Sequence, residues 1–144
     1  MTTHEKKYLY AIWIIAIGAT LGSLFFSEVL GFTPCVLCWY QRIFWYPLVI
    51  ILPIAINRAD TTIRAYIYGL VIPGSIIALY HTLLNWHVIP ETLAPCKAGV
   101  SCLTKYINWF GFINIPFLSL LGFLTILFIL WKLKKLNETT VIKS

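Results

Sequence analysis

Long apolar stretches dominate the chain and alternate with short polar segments. A helix that crosses a membrane needs about 20 consecutive, mostly apolar residues. Four stretches meet this requirement, and they cover residues 8–27, 34–56, 65–84 and 114–131. The pattern predicts an all-α membrane protein: a bundle of four transmembrane helices that forms a single integral-membrane domain, residues 1–144.

The composition supports a membrane protein over a soluble one. Of the 144 residues, 60% are hydrophobic and 11% are charged, and a soluble domain of this size leaves too much surface in contact with water to cover that apolar area. The formal net charge of +6 could suggest a nucleic-acid partner. The basic residues lie beside the apolar stretches, however, which is typical of membrane orientation. We therefore expect membrane lipid, and no nucleic acid, as a partner.

The basic residues also predict which side of the membrane each loop occupies. Eight of the eleven lysines and arginines lie in the two termini or between the second and third spans: Lys6, Lys7, Arg58, Arg64, Lys132, Lys134, Lys135 and Lys143. The positive-inside rule places such segments in the cytoplasm. Both termini are therefore predicted to be cytoplasmic, with outer loops at about 28–34 and 85–113.

The four cysteines form two pairs, both on the predicted outer side. Cys35 and Cys38 open the second span, and Cys96 and Cys102 lie in the second outer loop. Disulfides persist outside the cytoplasm, whereas the cytoplasm keeps thiols reduced. This distribution favours thiol–disulfide chemistry on the extracytoplasmic side.

The first pair stands in the segment "TPCVLCWYQR". Thr33 is a typical N-cap and Pro34 a typical first helical residue, so the thiols are expected near the partly positive end of a helix, which favours the thiolate that attacks in exchange reactions. Arg42 lies one turn beyond Cys38, and a cation inside a span marks function by default. The alternatives are an arginine that extends to the interface and a zinc site built from four thiolates, which the oxidising side disfavours.

The second pair has two interpretations. A single outer pair would favour a static structural disulfide, but a four-helix membrane bundle needs no loop crosslink, because its backbone is satisfied within the helices. Two pairs on one face instead suggest an electron relay. The pair in the outer loop would meet a soluble partner, and the pair at the membrane edge would meet a lipid-soluble one.

The electrons released by disulfide formation need an acceptor. The chain has neither the C-x-x-C-H motif of haem attachment nor the G-x-G-x-x-G motif of dinucleotide binding. A membrane quinone requires only an apolar slot, a nearby thiolate and a donor for its oxygen. Arg42 fits the donor role. His81 is the second candidate, although a lone histidine in a span is equally consistent with a packed, hydrogen-bonded residue.

Three segments resemble those of one known family. "PCVLCWYQR" resembles the signature of the bacterial disulfide-bond formation protein B (DsbB) family, whose short members are called BdbC. "LYHTLLNW" is similar to the histidine segment in the third span of that family, and "GFINIPFLSLLGF" resembles the segment that opens its fourth span. With the four spans and the outer cysteine pairs, the resemblance covers most of the chain.

The resemblance implies a protein-dithiol:quinone oxidoreductase in the bacterial cytoplasmic (inner) membrane. Such enzymes reoxidise an extracytoplasmic thioredoxin-like thiol oxidase (DsbA- or BdbD-like) and pass two electrons to ubiquinone or menaquinone. They thereby sustain disulfide bond formation in exported proteins.

Carried over by position, the resemblance also implies site residues. The redox residues would be Cys35, Cys38, Cys96 and Cys102. Cys96 would form the mixed disulfide with the partner, Cys102 would resolve it and exchange with Cys35, and Cys38 would attack the quinone or form a charge-transfer contact with it. Arg42 would hold a quinone oxygen, and His81 would line the same pocket.

This chain departs from the best-known members in two places. Only five residues separate Cys96 from Cys102, a spacing found in compact members, and Gln41 stands where an acidic residue can occur.

One rival function stays within redox chemistry, an epoxide-type quinone reductase as in the vitamin K enzymes. The other is a small four-helix membrane transporter or assembly factor with structural disulfides.

Overall fold

The computed structural model describes residues 1–93 and 114–143. Its helices are α1 Thr3–Leu24, which continues as a π-helical turn Phe25–Val29, then α2 Val36–Arg58, α3 Ile63–Asn85, a 3₁₀ turn Glu91–Leu93 and α4 Ile115–Lys143. Within the described residues there is no strand, and four helices are long and apolar enough to cross a membrane. The prediction of an all-α, four-helix membrane fold is confirmed.

The four helices form a ring in chain order. α1 packs on α2, α2 on α3, α3 on α4, and α4 back on α1. At one end, Asn137 Nδ2 of α4 donates to Glu5 Oε1 of α1 at 2.8 Å, and Arg64 Nη2 of α3 lies 3.7 Å from the same oxygen. The start of α1, the start of α3 and the last part of α4 therefore share one end of the bundle. That this end faces the cytoplasm stays a prediction.

The outer surface of the bundle is apolar. Large side chains point away from the core on several helices, and Ile14, Ile50 and Ile76 are 66%, 63% and 61% exposed. Soluble monomers rarely show apolar surface on this scale. In hydrocarbon the same side chains meet lipid tails that are as apolar as they are.

A tryptophan of α1 completes the backbone hydrogen bonding of α2. Pro53 has no N–H, so the carbonyl of Val49, four residues earlier, loses its usual helical partner. The indole Nε1 of Trp13 donates to this carbonyl oxygen at 2.9 Å. A neighbouring helix thus satisfies the freed backbone group, and this is how membrane bundles tolerate proline inside a span.

The core near the middle of the bundle leaves no room for a side chain at Gly74. The Trp45 ring of α2 stacks on the Phe123 ring of α4 with centroids 4.2 Å apart, and Trp45 Nε1 donates to Ser119 Oγ at 3.0 Å. A Cβ on Gly74 of α3 would lie 2.7 Å from the Phe123 ring. α3 can approach this stacked pair because position 74 has no side chain.

Gly74→Ala is expected to lower the melting temperature of the detergent-solubilised protein. Overpacking of this kind costs about 1–3 kcal/mol, which exceeds the roughly 1 kcal/mol that alanine gains over glycine inside a helix. Gly69→Ala on the same helix is the matched control, because a Cβ there meets no atom within 4 Å; it should keep or raise the melting temperature. Equal melting temperatures for the two variants would contradict the packing role of Gly74.

Candidate functional site

The first cysteine pair lies at the amino-terminal end of α2. Cys35 is the N-cap, with extended backbone (φ −76°, ψ 173°), and its Sγ accepts the backbone N–H of Cys38 at 3.4 Å. The prediction that Thr33 caps the helix and that Pro34 begins it was wrong by two residues. The Cys35 sulfur therefore caps the first turn of α2, a role that was predicted for the Thr33 hydroxyl.

The two thiols are adjacent but differ in their surroundings. Both cysteines are unbonded, and their Sγ atoms lie 2.9 Å apart, so a small shift would bring them to the bond length of about 2.05 Å in a disulfide. Cys35 is buried in a small apolar cluster with Leu37 and Leu84, whereas Cys38 is half-buried. A disulfide between the two cysteines can therefore form and break with little movement, and the two sulfurs contact different neighbours.

The predicted histidine lies directly beside the thiols. His81 of α3 is 2% exposed, and its Nε2 is 3.7 Å from Cys35 Sγ. On the other side of the ring, Nδ1 is 3.0 Å from Gln41 Nε2. Gln41 was not predicted as a site residue. A signal was present in the sequence, since an amide in an apolar span needs a hydrogen-bonding partner when it is buried.

Arg42 is buried and turned towards α1. It is 7% exposed, its Nε donates to Ser23 Oγ at 2.7 Å, and its Nη2 donates to the Ser23 carbonyl oxygen at 2.8 Å. The guanidinium also lies 5.1 Å from the centroid of the Trp39 ring. Among the described residues no carboxylate pairs with it. It is thus a buried positive charge held by neutral groups and not a side chain that extends to the interface.

The acceptor of this charge lies where α1 changes its helical form. Ser23 directly precedes the last α-helical residue of α1, and the π-helical turn Phe25–Val29 follows. Ser27 Oγ within this turn also donates to the Ser23 carbonyl oxygen, at 3.3 Å. Single π turns occur frequently at functional sites. No proline or glycine marks this turn in the sequence, and Ser23 was not predicted as a site residue.

A cavity of about 200 Å³ joins these groups. All four helices contribute to its wall, with Gly18 and Gly22 from α1, Cys38 and Arg42 from α2, His81 from α3 and Pro116 from α4. A Cβ on either glycine would meet no protein atom within 4 Å, so these glycines leave free space inside the cavity. A dry cavity of about 150 Å³ is known to hold benzene, and this one therefore has room for a substituted six-membered ring.

A second, larger cavity lies between α2 and α3 towards the opposite end of the bundle. It measures about 600 Å³, and its wall includes Arg58, Asp60 and Gly69 but no cysteine or histidine. Its size does not make it the redox site, because the groups that could exchange electrons line the smaller cavity.

The same three side chains offer ligands that a metal could use. The sulfurs of Cys35 and Cys38 and a ring nitrogen of His81 all lie within 4.8 Å of one another. Thiolate and imidazole are ligands that suit zinc. That the site holds no metal stays a prediction.

The second cysteine pair, Cys96 and Cys102, lies outside the described residues. The chain is described up to Leu93, three residues before Cys96 in the sequence. The hydroxyl of Tyr80 donates to the carbonyl oxygen of Leu93 at 2.8 Å, and Tyr80 directly precedes His81 on α3. The segment that leads to the second pair is therefore attached to the helix that carries the site histidine.

Comparison with known proteins identifies the family. The model of the family described as "Disulfide bond formation protein DsbB" matches residues 5–133. The chain belongs to the DsbB family. No solved structure matches it. The predicted resemblance is confirmed.

Proteins similar to this chain are named for disulfide formation. "Disulfide bond formation protein C" of Bacillus subtilis (strain 168) is 48% identical over 127 residues, which cover 88% of this chain and 92% of that protein. "Probable disulfide formation protein C 1" of Bacillus anthracis is 49% identical over 130 residues, covering 85% and 90%. "Probable disulfide formation protein" of Metapseudomonas resinovorans is 42% identical over 123 residues, covering 85% of each.

Membership of the DsbB family settles the general role of the chain. It is a multi-pass membrane protein of disulfide bond formation, with the general role of a disulfide-generating oxidoreductase. An unbonded thiol pair beside a buried cation and a histidine suits that role.

Ser23→Ala is expected to destabilise the protein, because it removes the hydroxyl that accepts from the buried Arg42 guanidinium. A hydrogen bond to a charged group contributes about 1.5–3 kcal/mol, so the free energy of unfolding in mixed micelles should fall by about that amount. Ser27→Ala is the matched control one turn along. The bonds of Ser27 stay within its own helical segment, and the change should cost about 0.5 kcal/mol or less. The same loss in both variants would count against a special role for the Ser23–Arg42 contact.

Proposed function

We propose that this DsbB-family protein is a thiol:quinone oxidoreductase of the bacterial cytoplasmic membrane. It reoxidises an extracytoplasmic thioredoxin-like thiol oxidase and passes two electrons to ubiquinone or menaquinone, which sustains disulfide formation in exported proteins. The observation that carries the proposal is the cavity in which the Cys38 thiol, the Arg42 guanidinium and the His81 ring meet.

The different surroundings of the two thiols support separate roles for them. Cys38 lines the cavity and Cys35 does not; Cys35 is buried against Leu37 and Leu84. This arrangement supports Cys38 as the sulfur that would face the quinone, and the family resemblance assigns the exchange with Cys102 to Cys35. Cys96 receives the attack of the partner's thiolate and forms the mixed disulfide.

The cavity has the properties that a quinone ring requires. Its wall is mainly apolar, and Gly18 and Gly22 leave room for a flat ring. The Arg42 guanidinium carries five N–H groups, and two of them bind Ser23, so three remain for an oxygen in the cavity. A bound quinone supplies the acceptor for two electrons and two protons. Arg42 stabilises the negative charge that develops on the ring oxygen, and a fixed donor in a site of low dielectric constant does this well.

The thiol exchanges are balanced at each stage. A thiolate attacks one sulfur of a disulfide, a new S–S bond forms as the old one breaks, and the leaving sulfur departs as a thiolate. The partner's dithiol becomes a disulfide as the Cys96–Cys102 disulfide is reduced. That dithiol is oxidised in turn as the Cys35–Cys38 disulfide is reduced. The Cys35–Cys38 dithiol then closes again and gives up two electrons and two protons.

The distribution of charge between the two ends of the bundle supports one orientation in the membrane. Glu5 and Arg64 mark the end that also holds both termini, and Lys6, Lys7 and Lys132 accumulate there in the sequence. By the positive-inside rule this end is cytoplasmic. The thiols at the start of α2 then lie on the extracytoplasmic side, where the partner oxidase works.

Reduction of quinone by the purified protein tests the proposal. The wild-type protein in detergent, supplied with a reduced thioredoxin-like oxidase and either ubiquinone or menaquinone, should change the quinone absorbance. Cys38→Ser should abolish this reduction. Arg42→Ala should slow it about 100-fold, as the loss of a donor to a developing oxyanion does. Ser27→Ala is the control and should keep the wild-type rate.

A negative result in this assay would favour a different function. If the reduced oxidase drives reduction of neither quinone and all four cysteines stay oxidised throughout, the disulfides are structural. A transporter or assembly factor would then be the better description of the chain.

Gly22→Leu is expected to impair the quinone step without impairing thiol exchange. The leucine side chain would occupy the free space in the cavity, so the KM for quinone should rise about tenfold or more. Transfer of electrons from the partner to the cysteines, followed by trapping of thiols, should keep its rate. Gly69→Leu fills the second cavity instead and should leave both quantities unchanged. A Gly22→Leu protein with a wild-type KM would contradict the assignment of the cavity.

A further inference from the structure

The side chain of Gln41 forms a bridge from α2 to the site histidine of α3. It is 6% exposed, and its Nε2 lies 3.0 Å from His81 Nδ1. An amide nitrogen can only donate hydrogen bonds, so Nδ1 must be the acceptor and carries no proton. In a neutral imidazole the proton then lies on Nε2.

The protonated nitrogen faces a sulfur. Nε2 of His81 is 3.7 Å from Cys35 Sγ, so the N–H is directed at the first thiol of the pair. We propose that Gln41 is a positioning residue: its amide holds His81 in the tautomer with the proton on Nε2, and the ring then donates a hydrogen bond to the Cys35 sulfur. The tautomer rests on this geometry, whereas its use in turnover rests on the proposed function.

The Cys35 thiolate favours this arrangement over the reversed amide. If the Gln41 amide turned over, its Oε1 would accept from a protonated Nδ1, and the lone pair of Nε2 would face the sulfur. A lone pair repels a thiolate, whereas an N–H forms a charge-assisted hydrogen bond with it. Cys35 caps α2 and accepts the Cys38 N–H, and both features favour its thiolate form.

The chemical consequence concerns the role of the histidine. A ring that already carries its proton on Nε2 cannot remove one from Cys35 through that nitrogen. His81 therefore acts as a donor that stabilises the Cys35 thiolate and not as its general base. Gln41 acts through His81, and it does so without touching the sulfur itself.

Nitrogen NMR of the reduced, full-length protein with ¹⁵N-labelled histidine tests the tautomer directly. The His81 signals are identified by their loss in His81→Asn, because His4 and His87 remain. Wild type should show a protonated Nε2 and an unprotonated Nδ1. Gln41→Leu, which removes the donor to Nδ1, should raise the fraction of the tautomer that carries the proton on Nδ1, because only the Cys35 sulfur then favours the proton on Nε2. Gln41→Glu, whose carboxylate accepts, should place a proton on Nδ1.

A control variant separates this effect from general destabilisation. Ser75→Ala removes another buried polar group of α3, one whose hydroxyl donates to the carbonyl of Ile72 in its own helix, and it should leave the His81 pattern unchanged. A wild-type protein with a protonated Nδ1, or a Gln41→Leu protein with the wild-type pattern, would overturn the proposal. Gln41→Glu, which is nearly isosteric, keeps the test decisive if Gln41→Leu does not fold.

The reactivity of Cys35 gives a second readout. In a protein with Cys96→Ser and Cys102→Ser, alkylation of Cys35 by iodoacetamide can be followed by peptide mass spectrometry. Gln41→Leu should move the pH at which this alkylation reaches half its maximal rate upward by about one pH unit, because weakening one hydrogen bond to a charged group makes the thiolate about tenfold less favoured. An unchanged pH dependence would mean that Gln41 only fills space. Neither readout requires quinone or partner, so a failure of the proposed function would be seen separately.

Discussion

The structure depends on how one buried positive charge is held. A charged arginine inside a span costs a few kcal/mol, and Arg42 has no carboxylate partner among the described residues. Its charge is stabilised by the hydroxyl and the carbonyl oxygen of Ser23, which lies just before α1 widens into a π turn. The contact joins α1 to α2 at the end of the bundle where the thiols lie. It also leaves Arg42 lining the cavity, so the same contact holds the bundle together and fixes the position of the side chain that we propose binds the quinone oxygen.

The glycines of the bundle serve two opposite purposes. Lipid tails provide no hydrophobic force between helices, so association depends on close packing and interhelical hydrogen bonds. Gly74 allows α3 to approach the Trp45–Phe123 stack, and a side chain there would collide with protein. Gly22 is surrounded by free space. The missing side chain lets helices meet at Gly74, and at Gly22 it leaves the free space that we propose a quinone fills.

The sequence was sufficient to predict the elements of the fold and the family. The lengths of the apolar stretches reflect the thickness of the bilayer, and this constraint applies to each helix separately. Cys35, Cys38, Arg42 and His81 stood out because reactive or charged side chains are rare within spans. The structure brings all four together, although their roles stay predictions. The second cysteine pair lies outside the described residues, so its part in the relay stays a prediction too.

What could not be predicted were the contacts between helices. Ser23 is an ordinary residue for a membrane helix, and only its position opposite Arg42 gives it a role. Gln41 gains its importance from the ring of His81, forty residues further along the chain. The N-cap was assigned to Thr33 from local preference, but the Cys35 sulfur accepts the N–H of the first turn. Such pairings depend on the rotation of each helix about its axis, which apolar patterning leaves open when lipid surrounds the bundle.

The hydrogen bond between Trp13 and the Val49 carbonyl makes two positions on different helices depend on each other. The carbonyl needs a donor from outside α2 because Pro53, four residues later, has no N–H, and the half-buried indole of Trp13 donates its N–H to that carbonyl. If Pro53 alone were replaced, the restored backbone N–H at position 53 would compete with the indole for the Val49 carbonyl. If Trp13 alone were replaced, that carbonyl would lose its hydrogen-bond donor. Substitution is tolerated more readily at both positions together than at either one. In related chains the two positions should therefore vary as a pair, although they lie on different helices and neither lines the cavity beside the thiols.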